Sequence, residues 1–356
     1  MRRFRSALVT GHTGFKGGWL SLWLAHRGAA VHGYAAVPPT RPSFFEVADV
    51  GSRLASHTIA DIRDRDALEK TLASARPEVV FHLAAQPLVR QSYRDPLETF
   101  EVNVMGTACL LDAVRSVDSV RAVVVITTDK CYENVAWDWP YRERDRLGGH
   151  DPYAASKACA ELVTQAYSRS FLAEAGIAVA TARAGNVFGG GDWAADRLIP
   201  DLLAAIDDGR APVIRSPEAI RPWQHVLEPL TGYMTLAERL LDSGTEFADA
   251  WNFGPDESAM CSVRRIVERL CRQPAGPGWQ HEPASGAHEA LTLRLDSSKA
   301  RHRLGWRSRW SLDEALSRTL DWHRSWRRGE DMAAVSLAQI EAYEERGATT
   351  DLAKAS

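Results

Sequence analysis

In DPYAASK, residues 151–157, a tyrosine and a lysine stand four positions apart, Tyr153 and Lys157. On a helix that spacing places both side chains on one face, a turn apart. An ammonium beside a phenol stabilises the phenolate, drawing its pKa from about 10 toward neutrality and making a usable base. Such pairs also occur in ordinary amphipathic helices, so this one needs company. ITTDKCYEN, residues 126–134, ends an apolar run with Thr128, Asp129 and Lys130. Thr128 can offer its hydroxyl to the same oxygen that Tyr153 would deprotonate. Asp129 and Lys130 are adjacent ionisable groups, costly to bury without a task, although elsewhere the pair would read as a solvated loop. Removing water from a sugar needs an acid for the departing hydroxyl and a base for a carbon-bound proton, and these two residues can provide both.

A third group is glycine-rich. LVTGHTGFKGGW, residues 8–19, spaces Gly11, Gly14 and Gly17 three apart between a short apolar run and a helical pattern, with Thr13 and Phe15 in the same loop. Glycine permits positive φ in a tight turn and lets backbone N–H groups approach a pyrophosphate at the positive end of a helix. The acidic residue expected about twenty positions on is missing. Ala35 falls there, so the pattern does not choose between NAD and NADP. Asp61 and Ile62 lie where an adenine-binding loop would follow the third strand. Leu83, Ala84 and Ala85, in HLAAQP, would approach the pyrophosphate or nicotinamide ribose, while a plain apolar strand end explains the alanines equally.

The elements that must hold these groups alternate in type. Ala7 to Thr10, 30–35, 57–60, 78–85, 121–128 and 177–185 read as strands, and 15–27, 64–75, 96–116 and 152–171 as helices. Asp151 is placed to cap the last helix and Pro152 to open it. Strands that are apolar on both faces and alternate with helices imply a doubly wound parallel α/β sheet. Beyond Gly185 the texture changes to NVFGGGDWAADRLIP, isolated strands such as 211–214, and tryptophans. This predicts a dinucleotide-binding domain over 1–185 and a smaller substrate-facing region over 186–330, interleaved with the first. A terminal helix that frays is expected over 331–356. Trp306, Trp310, Trp322 and Trp326 are expected in the core rather than as a sugar platform, Arg183 as structural, and Asn103 as a brace for nearby loops.

The 356 residues can bury a large core, and a net charge of −3 gives no basic field for nucleic acid. Five cysteines without CxxC spacing read as reduced thiols, with neither a disulfide framework nor a metal site. No run is long and apolar enough to span a membrane, and a cytoplasmic protein is expected.

With YAASK behind a strand ending in two threonines, the chain resembles the extended short-chain dehydrogenase/reductase family. The combination of TGHTGFKGGWL, TTDKCYEN, AGNVFGGGDWAADRLIPD and IRPWQHVLEPL narrows this. It is similar to the nucleotide-sugar 4,6-dehydratases, and among them to the type that acts on CDP-glucose, from about residue 5 to about residue 325. Most such dehydratases carry glutamate after the aspartate, whereas the CDP-glucose type carries lysine, as Lys130 is here. The resemblance implies a catalytic set of Thr128, Asp129, Lys130, Tyr153 and Lys157, with Tyr153 and Lys157 also meeting a tightly held NAD. It implies a CDP-glucose substrate, a redox-neutral cycle, a place in deoxysugar biosynthesis and a homodimer built on helices 96–116 and 152–171. Lys130 must be neutral to act as a base, which requires a depressed pKa, through burial or Lys157 nearby. Asn186, Arg197 and Arg221 are candidates for the substrate diphosphate, since guanidinium forks suit phosphate oxygens. His288 is a candidate for the nucleobase or ribose. Two other readings stand beside this one. A 4-epimerase has no use for Asp129 and Lys130, and a non-catalytic dinucleotide sensor has no need of Tyr153, Lys157 and Thr128 together.

Overall fold

The computed structural model describes residues 4–271, 278–282 and 291–355, excluding the side chains of 348–355. Its centre is a seven-stranded parallel sheet. Six strands lie before Gly185: β1 Ser6–Thr10, β2 Ala30–Ala35, β3 Ser56–Ile59, β4 Val79–His82, β5 Ala122–Ile126 and β6 Ala178–Ala184. The seventh, Ala250–Phe253, lies outside β6, so the order is Ala250–Phe253, β6, β5, β4, β1, β2, β3. Neighbours pair in parallel throughout.

Alternation within the strands decides which layer each side chain joins. Val79, Phe81, Val124 and Ile126 pack on one face with Trp19, Trp23, Leu230 and Leu240. Val80, Val123 and Val125 pack on the other with Leu68, Leu72, Leu110 and Leu111. Both faces are therefore dry, as runs such as AVVVI require. The helix Phe15–His26 stops where Gly28 takes φ +84°. The long helical stretch over 96–116 forms as Pro96–Phe100, a π-helical turn at Glu101–Met105, and Gly106–Val114. Asp151 caps Pro152–Tyr167 by accepting from Ala154 N at 2.8 Å.

Residues 186–330 do not form a separate body. Leu227–Ser243 and Ala250–Phe253 complete the central layers, although both lie past Gly185. Part of the remainder makes a smaller apolar cluster with Ile199, Leu202, Trp223, Ile266 and Leu270. Trp306, Trp310 and Trp322 are buried in the main core. The terminal helix Met332–Ala355 is docked along its first half: Tyr343 is buried, and Trp23 Nε1 donates to Glu344 at 2.8 Å.

Candidate active site

β1 hands over to its helix through Gly11, whose φ is +77° and where a Cβ would stand 2.7 Å from the Ala84 nitrogen. A Cβ on Gly17 would stand 2.1 Å from the Gly11 carbonyl oxygen. Close backbone approach therefore requires both glycines. Gly14 meets that carbonyl at an ordinary 3.4 Å, and it precedes a helix whose first N–H groups have no side-chain cap. Thr13 Oγ1 donates to Ala36 O at 2.9 Å, tying the loop to the end of β2. An uncapped helix start and a backbone cradle without Cβ atoms fit an anionic dinucleotide.

The flanking loops are held as firmly. Leu83 N donates to Thr10 O at 3.1 Å and Ala84 N to Thr10 Oγ1 at 3.2 Å, so Leu83–Ala85 passes beneath Gly11. Asn103 accepts from Gln86 N at 2.8 Å and donates to Ser156 at 2.8 Å, bracing this loop against the Tyr153 helix. Asp61 chelates the Arg63 guanidinium at 2.6 and 2.9 Å, while Ile62 is buried against Gly106. Sequence reasoning did not mark His12, which fills the space above Gly33 with neither ring nitrogen bonded. Burial pushes its pKa down to about 4.

Beyond the end of β5, Thr128 caps a three-residue turn, Asp129–Cys131. Asp129 is 2% exposed; one carboxylate oxygen accepts from Thr128 Oγ1 at 3.1 Å and the other is buried with no partner. A Cβ on Gly185 would stand 2.9 Å from that second oxygen, which explains the glycine of ARAG. Burial pushes the Asp129 pKa up, against the opposing pull of Lys130, the Thr128 bond, Arg221 and Lys16. A carboxyl so placed is suited to hold a proton and give it up. Lys130 follows directly, half-buried at the same cavity wall.

Tyr153 and Lys157 are both buried, but the expected phenol–ammonium coupling is not what the structure contains. Lys157 Nζ donates to Ile126 O at 3.1 Å, and burial lowers its pKa to about 8 against the pull of Glu161. Burial pushes Tyr153 up to about 12, opposed by a hydrogen bond with Thr128 and by Arg197. Four-residue spacing brings the two onto one face, yet the lysine is drawn to the carbonyl at the end of β5.

One cavity of about 720 Å³ unites the set: Phe15, Thr128, Asp129, Lys130, Tyr153, Asn186, Arg197 and Arg221 all line it. That volume suits an elongated small ligand. Arg197 pairs with Asp192 at 2.9 Å, and Arg221 donates to Ile220 O at 2.9 Å. Both therefore have protein partners beside the cavity. His288 lies outside the described residues. Lys16 was also missed. Its Nζ stands 3.4 Å from the Tyr233 hydroxyl on the same cavity wall, and burial lowers its pKa to about 7. A lysine opening an otherwise apolar helix, FKGGWL, was the available signal.

A profile described as GDP-mannose 4,6 dehydratase matches residues 8–319. A CDP-glucose 4,6-dehydratase of Salmonella typhimurium is 50% identical over 345 residues, 95% of this chain and 96% of that protein. Among solved structures, a dTDP-glucose 4,6-dehydratase of Streptomyces venezuelae with NAD bound is 26% identical, with a TM-score of 0.77 over 92% of this chain and 99% of that one. A UDP-glucose 4-epimerase of Thermotoga maritima shares the fold at 23% identity and a TM-score of 0.79, over 90% and 99% of the two chains. The glycine cradle, the Tyr153 helix and the Asp129–Lys130 turn thus occur in a chain that belongs to the GDP-mannose 4,6 dehydratase family.

Proposed function

We propose that the chain is a CDP-glucose 4,6-dehydratase, converting CDP-D-glucose to CDP-4-dehydro-6-deoxy-D-glucose with NAD held in the glycine cradle. The observation that carries this reading is the buried Asp129, its pKa raised by burial, beside Lys130 in the cavity that also receives Tyr153 and Thr128. Held in that cradle, NAD would supply a hydride acceptor for C4 and a hydride donor for C6. Tyr153, hydrogen-bonded to Thr128, takes the 4-hydroxyl proton as C4 becomes a ketone. Lys157 holds the end of β5 in place. The ketone acidifies the C5 hydrogen, which Lys130 removes. Asp129 gives its proton to the C6 hydroxyl, which departs as water while a C5–C6 double bond forms. With the hydride that the bound dinucleotide would return at C6, and a proton added at C5, the net change is the loss of one water. Asn186, Arg197 and Arg221 hold the diphosphate. Gly11, Gly14 and Gly17, with Thr13, Phe15, Asp61, Ile62 and Leu83 to Ala85, hold the dinucleotide.

We further propose a cytoplasmic homodimer acting in deoxysugar biosynthesis, with residues 1–185 chiefly binding cofactor and 186–330 chiefly binding substrate. Support for a dimer comes from exposed apolar side chains on the two long helices, Leu97 and Met105 on one, Leu162 and Phe171 on the other. Unpaired cysteines at 109, 131, 159, 261 and 271 suit a reducing compartment.

The test follows the hydrogen atoms. CDP-[4-²H]glucose in ordinary water is expected to give product with deuterium in its C6 methyl group, and unlabelled substrate in heavy water to take up one deuterium at C5. Label returned to C4 with no loss of water would make the protein an epimerase. An unchanged sugar would remove the catalytic reading. A matched panel of CDP-, dTDP-, GDP- and UDP-hexoses, read by mass, tests the choice of base.

A further inference from the structure

The turn that carries Asp129 and Lys130 ends at Tyr132, and nothing in the chemistry above uses that residue. Its side chain is 1% exposed. The hydroxyl accepts from Arg183 Nη1 at 2.8 Å and donates to Asn252 Oδ1 at 2.7 Å, while the ring stacks on Tyr141 with centroids 5.3 Å apart. Arg183 turns its other edge to Glu161, with Nε and Nη2 donating to the two carboxylate oxygens at 2.9 and 2.8 Å. Glu161 also accepts from the hydroxyls of Thr127 and Thr181, the latter at 2.7 Å. Asn252 donates to the carbonyls of Tyr141 and Asp296 at 3.1 and 3.0 Å.

These contacts form a continuous buried chain. It runs from Glu161, one turn beyond Lys157 on the Tyr153 helix, through Arg183 on β6 and Tyr132 at the end of the turn, to Asn252 on the seventh strand. A charge pair with Glu161 4% and Arg183 3% exposed is expensive to desolvate, and full hydrogen bonding offsets much of that cost. Tyr132 lines the cavity, but its hydroxyl is engaged by protein on both sides, once as donor and once as acceptor. What it can do is hold the far end of the Asp129–Cys131 turn, whose near end is set by Thr128. Beside the link through Glu161, the groups for C4 oxidation have anchors of their own: Lys157 bonds Ile126 O, and Tyr153 lies on a helix capped by Asp151.

We infer that Tyr132, locked between Arg183 and Asn252, is a positioning residue for the elimination step, holding Asp129 and Lys130 where the C5–H and C6–O bonds break while leaving C4 oxidation to other anchors. The inference rests on the dehydratase reading. Misplacing a reacting group by an ångström costs on the order of 100-fold in rate, and here the cost should fall on one half of the cycle.

The experiment compares wild type with Tyr132→Phe, which keeps the ring and its stacking and loses only the hydroxyl. Both are mixed with NAD and CDP-glucose and read twice: reduced nicotinamide by absorbance within one turnover, and water loss by mass. Water loss is expected to slow by about 10- to 100-fold in the variant. Reduction of the nicotinamide should stay within about threefold of wild type, so that reduced cofactor accumulates, as a misplaced turn implies. Equal slowing of both steps, or of neither, overturns the inference. Should Tyr132→Phe not fold, Asn252→Ala removes the acceptor of the Tyr132 hydroxyl without touching Glu161, and the same division of rates decides. A wild type that removes no water from CDP-glucose defeats the parent reading instead, and that result does not depend on any variant.

Discussion

Tyr153 and Lys130 occupy one cavity and do different work, which substitution should separate. Tyr153→Phe removes the phenolic oxygen and nothing else. Turnover should fall by roughly 100- to 10,000-fold, the range for losing a positioned acid–base group, with substrate binding by calorimetry nearly unchanged. Lys130→Met should still permit oxidation at C4 and then stall before water leaves. Rapid mixing should show reduced nicotinamide building up without dehydrated product, and a variant that dehydrates at the wild-type rate would remove Lys130 from the mechanism. Asp129 explains why the two steps can be parted. Burial raises its pKa, while Lys130, the Thr128 hydrogen bond, Arg221 and Lys16 oppose that shift.

Among the secondary-structure elements, the glycine turn and the helix Leu227–Ser243 allow the sharpest tests. Gly17→Ala would drive a Cβ to 2.1 Å from the Gly11 carbonyl, backbone against backbone, and neither side can rotate away. Stability should drop by about 1–3 kcal/mol, read as a lower Tm, with co-purifying NAD falling as well. Glu228, at the start of the second helix, is 1% exposed and accepts from Arg309 N, Trp310 N and the Tyr343 hydroxyl. Burial raises its pKa from 4.5 to about 7. The folded state then binds a proton that the unfolded chain has released, so this group's contribution is fully present below about pH 4.5 and is lost as pH rises through 7. Glu228→Gln should flatten that slope. The gap in unfolding free energy between variant and wild type should widen in the variant's favour by on the order of 1–3 kcal/mol from pH 4.5 to 7.5. Parallel pH profiles for the two proteins would show that Glu228 does not titrate in this window.

The whole molecule leaves Leu97 74% exposed and Leu162 55% exposed on the two helices at its flank. Apolar side chains clustered on one flank are commonly covered by a partner. Sedimentation is expected to give twice the 39.3 kDa chain mass, and Leu162→Glu with Phe171→Glu to give the single mass with the circular dichroism spectrum unchanged. A wild type that sediments as a single chain at micromolar concentration would remove the proposed interface.

Much of this protein was legible in its residue order, where the physics is local. Glycines at 11 and 17, apolar runs such as AVVVI, the Asp151–Pro152 cap and the Tyr153–Lys157 spacing depend only on neighbours a few positions away. The parallel sheet and the place of the Asp129–Lys130 turn follow from them. Tertiary structure decided the rest. AWNF, four residues long, joins the sheet only because β6 offers an unpaired edge to it, and no local pattern announces that. Lys157 lies a turn from Tyr153 but bonds Ile126 O, because a buried ammonium takes the nearest unsatisfied acceptor. Lys16 enters the catalytic cavity because the glycine loop aims its helix there. The chain from Glu161 through Arg183 and Tyr132 to Asn252 draws on residues up to 120 positions apart in sequence. Its members look unremarkable one by one, and burial is what obliges their polar groups to find one another.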